Sequence, residues 1–388
     1  MALPSLKIGD LVAKTPIVQG GMGVGISLHR LASAVASEGG VGVIAGAMIG
    51  MREPDVGKNP VAANSRALAA ELKKARELTS GIIGVNIMVA LTDFSSLVRT
   101  SIAERADIIF SGAGLPMDLP KILREVCEEK KEEFRTKLVP IVSSARAAAI
   151  ICKKWLSRSG YLPDAFVVEG PKAGGHLGYK AEDIDDPQYS LETLVPQVVD
   201  AVKAFEDEHG KAIPVIAAGG VYSGDDIRRF LDMGAAGVQM GTRFVATEEC
   251  DADIRFKQAY VEAKEEDIAI IKSPVGMPGR ALKGRFLDAL EQGKRNFRCL
   301  FHCISTCNPK ESPYCIASAL LNAMKGNLDR GFAFSGSNVF RINGITTVKE
   351  LMSSLQQEFD TAVAAAKSGM NNAMAKLKQD TALALGKA

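Results

Sequence analysis

The stretch IPVIAAGGVYSGDDIRRFLDMGAAGVQMGT, residues 213–242, contains one complete strand–helix–strand unit. Its two ends, 213–220 and 236–242, are short apolar runs that finish in glycine or threonine. Continuous apolar runs are typical of strands that are buried on both faces of a parallel sheet. Between them, Ser223 is the expected N-cap of a helix that stops at Gly234. The unit therefore predicts two parallel strands joined by a helix.

Similar apolar runs recur through the first two-thirds of the chain. They are residues 15–20, 41–46, 82–89, 107–114, 137–144 and 164–170, which make eight with the two runs above. Helical patterns such as 28–39 and 61–81 lie between them. Strand–helix alternation repeated eight times predicts a closed (β/α)8 TIM barrel. A doubly wound sheet is the alternative, but it usually has fewer strands and a phosphate loop after the first.

The composition changes after residue 250. Residues 255–275 and 320–326 have helical patterns, residues 273–284 read as a loop, and residues 349–388 are predicted to form a long helix. We therefore expect two regions, a barrel of residues 1–250 and a mostly helical C-terminal cap of residues 251–388.

Charge and targeting features exclude several classes of protein. The net charge is only +2, from 47 basic and 45 acidic residues, so electrostatics favours neither nucleic acid nor an anionic membrane as a partner. No signal peptide is apparent, and no apolar run reaches the roughly 20 residues that span a bilayer. Seven cysteines, an odd number, are better interpreted as reduced thiols than as a disulfide framework. These features favour a cytoplasmic protein.

Four of the cysteines are concentrated in CLFHCISTCNPKESPYC, namely Cys299, Cys303, Cys307 and Cys315. Three of them are spaced four residues apart and would share one face of a helix, where thiolates could bind zinc or an iron–sulfur cluster. The spacing matches neither a C-x-x-C site nor a ferredoxin. The preferred interpretation is that these are reduced cysteines that pack under the cap or line a pocket.

Glycines at the ends of the last two strands predict a phosphate site. In (β/α)8 barrels the active site lies at the C-terminal ends of the strands, and phosphate often binds after strands seven and eight. Gly219 and Gly220 follow strand seven, where the N–H groups of the helix beginning near Ser223 are expected to point at an anion. Gly241 and Thr242 follow strand eight. A dinucleotide fingerprint at 20–25 lacks its third glycine, which argues against a Rossmann domain.

Several stretches together resemble a known family. They are PIVQGGM (16–22), GVNIMV (84–89), SGAG (111–114), EGPKAGGHLG (169–178), IPVIAAGG (213–220) and QMGTRF (239–244), and they cover about the first 250 residues in order. The chain resembles the FMN-dependent barrel family that contains nitronate monooxygenases (2-nitropropane dioxygenases) and FMN-type enoyl-acyl-carrier-protein reductases.

The resemblance implies a set of site residues. FMN contacts are expected from Gly20, Gly21, Met22, Asn86, Glu169, Gly174, Gly175, Gly219, Gly220, Met240, Gly241 and Thr242. His176 occupies the catalytic position, whereas His29, His209 and His302 are expected at the surface or in packing roles. Glu169 departs from the Gln that is typical of the monooxygenases; the reductases often have Glu there. A further loop, 334–342, is expected to fold back towards the flavin.

The resemblance implies an FMN-dependent oxidoreductase with a small-molecule substrate. The leading hypothesis is a nitronate monooxygenase that oxidises alkyl nitronates with O2, with His176 as base or hydrogen-bond donor. The alternative is an enoyl-acyl-carrier-protein reductase that uses FMN and NAD(P)H, in which case His176 assists protonation of the thioester substrate. The second alternative is a flavin-binding barrel without turnover. The oligomeric state stays open, with a homodimer among the hypotheses.

Overall fold

The computed structural model describes residues 3–133, 135–293 and 297–385, with side chains to Ser368 except that of Glu291. The strands are β1 Leu6–Ile8, β2 Leu11–Ala13, β3 Ile17–Gln19, β4 Val41–Ala45, β5 Ile82–Met88, β6 Ile108–Gly112, β7 Lys137–Val142, β8 Phe166–Glu169, β9 Gly175–His176, β10 Val215–Ala218, β11 Gly237–Met240, β12 Ile268–Lys272 and β13 Pro278–Leu282. The helices are α1 His29–Ser37, α2 Pro60–Leu78, α3 Phe94–Ala103, α4 Leu119–Lys130, α5 Ala145–Ser159, α6 Leu191–His209, α7 Gly224–Asp232, α8 Thr242–Val245, α9 Ile254–Glu262, α10 Arg285–Glu291, α11 Ile316–Met324 and α12 Val348–Leu385.

Eight strands close into a parallel barrel, which confirms the predicted fold. Their order around the barrel is β3, β4, β5, β6, β7, β8, β10 and β11, and β11 pairs with β3 to complete the ring. Each observed strand lies inside one of the eight apolar runs, and the runs are continuous because both faces of these strands are buried. The active-site end of such a barrel is the end where all eight strands finish.

The opposite end of the barrel is closed by the β1–β2 hairpin. Leu6 and Ile8 of β1 are each 1% exposed and pack with barrel-interior residues such as Val18, Val43 and Phe110. This apolar plug excludes solvent from the N-terminal end of the barrel. Access to the barrel is therefore left to the C-terminal ends of its strands.

The helix that follows β10 begins as the sequence predicts. The side chain of Ser223 accepts a hydrogen bond from the backbone N–H of Asp226, and the Asp226 carboxylate accepts from the N–H of Ser223, which is a capping box. The long C-terminal helix α12 packs on α7 at Gly224, where an added Cβ would lie 2.1 Å from the backbone nitrogen of Phe359. Glycine at position 224 thus allows the two helices to approach closely.

No helix among the described residues has the length and apolarity needed to cross a membrane.

The region after residue 250 contains the helices α9 to α12, as expected, and also a β-hairpin that the sequence pattern does not predict. Residues 268–272 and 278–282, predicted as helix and loop, form the antiparallel hairpin β12–β13. The first of these segments, IAIIK, is rich in isoleucine, which favours strands once a partner strand supplies the hydrogen bonds. Pairing with β13 is a tertiary effect that a local helical pattern does not reveal.

The cysteine-rich segment is not a helix. Residues 297–315 are irregular, so the expected helix face that would carry three thiols does not exist. Burial and the neighbouring thiols raise the pKa of Cys303 to about 12, and the side chains of Cys303, Cys307 and Cys315 pack against the core. Within the described part of the chain, no three or more His, Cys, Asp or Glu side chains are grouped so as to hold a metal ion.

Candidate active site

A cavity of about 700 Å³ opens at the C-terminal ends of the barrel strands, within the range of 300–1,000 Å³ that is usual for small-molecule sites. Every residue that the resemblance assigns to the site lines this cavity. They are Gly20, Gly21, Met22, Asn86, Glu169, Gly174, Gly175, His176, Gly219, Gly220, Met240, Gly241 and Thr242. The structure thus brings the predicted residues together, whereas their roles towards a ligand stay predictions.

The loop that carries His176 is held by buried polar contacts. It leaves the barrel after Glu169 and runs through β9, which pairs with β13 so that His176 lies opposite Gly279. The guanidinium of Arg280 is 6% exposed and donates hydrogen bonds to the backbone carbonyls of Pro171 and Ala173. A buried guanidinium that is paired in this way fixes the loop, since freeing it would leave a buried charge without partners.

Glycine is favoured at two positions of this loop for different structural reasons. An added Cβ at Gly174 would lie 2.6 Å from the backbone nitrogen of Gly336, so only glycine permits this approach of two backbones. Gly175 has φ +83°, and a Cβ there would meet no heavy atom within 4 Å. Because Gly175 lines the cavity, it leaves open space at the cavity wall.

The imidazole of His176 shares a hydrogen bond of 2.7 Å between Nε2 and the Oγ of Ser273. Its ring packs edge-on against Phe334 at a centroid distance of 4.9 Å. Burial lowers the pKa of His176 to about 4, because the charged ring loses its hydration without gaining an anionic partner. At neutral pH this side chain is therefore an uncharged imidazole.

Burial shifts the pKa of Glu169 in the opposite direction. It raises the pKa of the Glu169 carboxyl to about 7, since desolvation again disfavours the charged form. The carboxyl faces the cavity and makes no hydrogen bond to any side chain or backbone group of the described residues. Near neutral pH a substantial fraction is protonated, and a protonated carboxyl offers both a donor and an acceptor, as a glutamine amide does.

The glycine pair after β10 adopts backbone conformations that other residues rarely accept. Gly219 and Gly220 have φ values of +93° and +92°, and a Cβ on Gly219 would lie 2.7 Å from the backbone oxygen of Gly170. These glycines let the chain turn tightly at the cavity edge.

The first N–H groups of α7 were expected to point at a bound anion, but the structure gives them other partners. The N–H groups of Tyr222 and Ser223 donate to the Asp226 carboxylate, and that of Gly224 donates to Glu358 of α12 at 2.8 Å. These N–H groups are occupied by carboxylates of the chain itself, so they do not point at a free anion. The capping residue was predicted correctly, whereas the contact with α12 depends on residues more than a hundred positions away.

A loop from the C-terminal region completes the cavity wall, as expected for residues 334–342. The N–H of Gly336 donates to the hydroxyl of Thr242 at 2.9 Å, and the amide of Asn338 donates to the backbone oxygen of Gly220 at 2.7 Å. Ser335 also lines the cavity, and its buried Oγ has no hydrogen-bond partner within the described structure. An orphaned buried hydroxyl at a cavity indicates a place for a polar ligand.

The sequence patterns missed several residues of this site. Phe332 and Leu320 form an apolar part of the cavity wall together with Phe334 of the predicted loop, and Lys172 also lines the cavity. Lys172 lies inside the quoted motif 169–178 and could have been named from it. Ser273 lies in a segment predicted as helix and loop, so no local signal pointed to its contact with His176.

The other histidines lie outside the cavity, as expected. His29 is paired with Glu71 at 2.5 Å, and His209 lies 3.8 Å from Glu208. The Nδ1 of His302 lies 3.9 Å from the thiol of Cys299.

Comparison with known proteins gives a consistent set of relatives. The family profile described as nitronate monooxygenase matches residues 5–358. A Mycobacterium tuberculosis protein named (3aS,4S,5R,7aS)-5-hydroxy-7a-methyl-1-oxo-octahydro-1H-indene-4-carboxyl-CoA dehydrogenase is 30% identical over 280 residues, covering 72% of this chain and 66% of that protein. A probable nitronate monooxygenase from Staphylococcus aureus is 28% identical over 302 residues, covering 71% of this chain and 78% of that protein. The structure of FabK from Thermotoga maritima superposes with a TM-score of 0.69 at 28% identity, covering 92% of this chain and 96% of that chain.

Proposed function

Because the chain belongs to the nitronate monooxygenase family, and is therefore an oxidoreductase, we propose that it binds FMN in the barrel cavity and oxidises an alkyl nitronate with O2. The observation that carries this proposal is the position of His176 on a cavity at the active-site end of the barrel, where burial lowers its pKa and favours the uncharged ring. An imidazole in that state presents an N–H donor without a positive charge.

The cavity fits a flavin nucleotide in three respects. Gly175 and Gly241 leave space where a side chain would stand; a Cβ on Gly241 would meet only the sulfur of Met22, at 3.9 Å. Ser335, with its orphaned hydroxyl, and Lys172, with its cationic side chain, both line the cavity and are suited to the ribityl and phosphate parts. Glu169 supplies a hydrogen-bonding group for a ring edge. When bound, FMN would supply the electron acceptor for the substrate and the site of reaction with oxygen.

In this proposal His176 acts as a hydrogen-bond donor rather than as a strong base. An alkyl nitronate is already an anion, so no proton has to be removed from it before oxidation. A base whose pKa is about 4 is poorly suited to deprotonating a neutral nitroalkane, whereas an imidazole N–H can bind and orient the nitronate oxygens. The apolar rings of Phe332 and Phe334 restrict water at the same wall.

A thioester substrate is the second candidate. Glu169 stands where the resemblance predicts Gln for a monooxygenase, and the cavity of about 700 Å³ has an apolar wall that suits an acyl group. The Mycobacterium tuberculosis relative is named as a dehydrogenase of a carboxyl-CoA compound. Reduction of an enoyl thioester at the expense of NAD(P)H would use the same histidine to polarise the carbonyl group.

Anaerobic mixing of the purified yellow protein with each reductant separates the two candidates. Rapid loss of the flavin absorbance with an alkyl nitronate, but not with NADH or NADPH, is the expected result. Rapid loss with NADH or NADPH and reoxidation by an enoyl thioester would favour the second candidate. A protein that keeps its flavin oxidised with every reductant would support the remaining alternative, a flavin-binding barrel without turnover.

A further inference from the structure

The β12–β13 hairpin is joined to the His176 loop by backbone hydrogen bonds. In addition to the pairing of β13 with β9, the N–H of Leu177 donates to the backbone oxygen of Pro278 at 2.8 Å. The turn of the hairpin is closed by a hydrogen bond of 3.3 Å from the N–H of Ser273 to the backbone oxygen of Met277. The hairpin therefore holds Ser273 in a fixed register relative to His176.

Ser273 is buried against His176 and does not line the cavity. The residue is 3% exposed and is not one of the described residues that line the cavity, although its Oγ lies 2.7 Å from Nε2 of His176. The same Oγ lies 3.4 Å from the backbone nitrogen of Val275, a long contact that orients the hydroxyl. Any effect of Ser273 on chemistry must pass through the histidine.

A hydroxyl is a chemically matched partner for an uncharged imidazole. It can donate to the ring nitrogen or accept from it, whereas a carboxylate would favour the charged ring. Nε2 is taken by Ser273, and Nδ1 makes no hydrogen bond to any group of the described residues. Which nitrogen carries the proton is set by the partner of the other nitrogen.

We propose that Ser273 is a positioning residue whose hydroxyl holds Nε2 of His176 and thereby fixes the tautomer and orientation in which Nδ1 meets the substrate. The kinetic consequence rests on the function proposed above, whereas the state of the ring does not. Ser273 is thus assigned a role in preparing the histidine, not in contacting the substrate.

The state of the ring can be measured without any substrate. Long-range ¹H–¹⁵N spectra of the flavin-loaded protein labelled with ¹⁵N-histidine report which ring nitrogen is protonated, and His176→Ala assigns the signal. At pH 7 we expect one neutral tautomer in the wild type and in Ser273→Thr, and averaged nitrogen shifts in Ser273→Ala. Lys272→Ala, an exposed neighbour on the same hairpin, should leave the spectrum unchanged. Identical His176 shifts in Ser273→Ala and the wild type would overturn the proposal.

Steady-state kinetics on the same variants tests the effect of Ser273 on turnover. Loss of one hydrogen bond should reduce kcat of Ser273→Ala about tenfold with KM changed less than about twofold, and Ser273→Thr should recover most of the loss. Equal losses in Ser273→Ala and Ser273→Thr would contradict a positioning role, because they indicate a packing defect. If Ser273→Ala does not fold, Ser273→Cys gives the same comparison with a weaker donor. A change of tautomer in a protein that is inactive on nitronates would refute the proposed function and leave the role of Ser273 standing.

Discussion

Glu169 and His176 lie on the same cavity, and burial moves their pKa values in opposite directions. Both shifts have the same cause, since desolvation disfavours the charged form of an acid and of a base alike. The result at neutral pH is a cavity with an uncharged imidazole and a carboxyl that is partly protonated. Under the proposed function, neutral hydrogen-bonding groups suit the binding of a flavin ring and an anionic substrate together.

Replacement of His176 by alanine tests its role directly. Loss of a positioned donor should lower kcat/KM by about 100-fold or more, while the visible absorbance of the bound flavin persists. Stopped-flow reduction by a nitronate provides the measurement. His209→Ala, at the end of α6 and outside the cavity, is the matched control and should retain wild-type rates. Unchanged turnover in His176→Ala would exclude this residue from the chemistry.

The pH dependence of activity follows from the state of His176. Only the uncharged ring is competent as proposed. In Glu169→Gln, which lacks the other titrating group of the cavity, kcat/KM should therefore stay level as the pH falls through 6.5 and decline towards pH 4, where the ring becomes protonated. A decline centred near 6.5 would mean that the imidazole is solvated. Initial rates across this range, with a stability check at each pH, decide between the two.

Glu169 provides a separate prediction on stability. In the folded protein the pKa of Glu169 is about 7, above its ordinary value of 4.5. The contribution of Glu169 to the free energy of unfolding is therefore fully present below about pH 4.5 and is lost as the pH rises through 7. Glu169→Gln should therefore be more stable than the wild type at pH 8, by up to about 3 kcal/mol, with no advantage at pH 4. Thermal unfolding of both proteins at the two pH values measures this difference; an equal gain at both would point to packing instead.

At the scale of elements, close contacts between barrel strands and helices depend on glycine. An added Cβ at Gly42 of β4 would lie 1.8 Å from the backbone oxygen of Ala32 in α1, where neither backbone can yield easily. Gly42→Ala should lower the free energy of unfolding by about 2 kcal/mol or more, as overpacking of a buried site does. Gly57→Ala, where a Cβ meets nothing within 4 Å, is the control. Denaturant titration that shows equal stability for both variants would contradict the close contact.

At the scale of the whole molecule, we propose the division into a barrel of residues 1–250 and a cap of residues 251–388. Arg280 and Asn338, both beyond residue 250, bond to loops of the barrel at the cavity. A chain that ends at residue 250 should therefore fail to retain flavin. A chain that ends at Ser368 keeps these contacts and the buried residues of α12 up to Phe359, and should retain it. Flavin absorbance after gel filtration measures flavin retention by both truncated chains. A yellow protein of residues 1–250 would show that the barrel alone is sufficient to bind the flavin.

The barrel follows from local sequence patterns, and most of the cavity residues follow from the motifs that carry the family resemblance. Eight apolar runs predict the strands because burial on both faces imposes continuous hydrophobicity, and strand ends at one rim bring motifs such as 169–178 and 239–244 together. The glycine pair at positions 219 and 220 could also be identified from the sequence, since their backbone conformations disfavour other residues.

The region that covers the cavity could not be predicted in this way. The isoleucines of β12 become a strand only because β13 pairs with them, and Ser273 reaches His176 only through that hairpin. Likewise, burial rather than residue type makes Glu169 a weak acid and His176 a weak base, and burial is a property of the assembled chain. Local propensity specifies elements whose partners are near in sequence, whereas contacts between distant segments set the chemistry of the site.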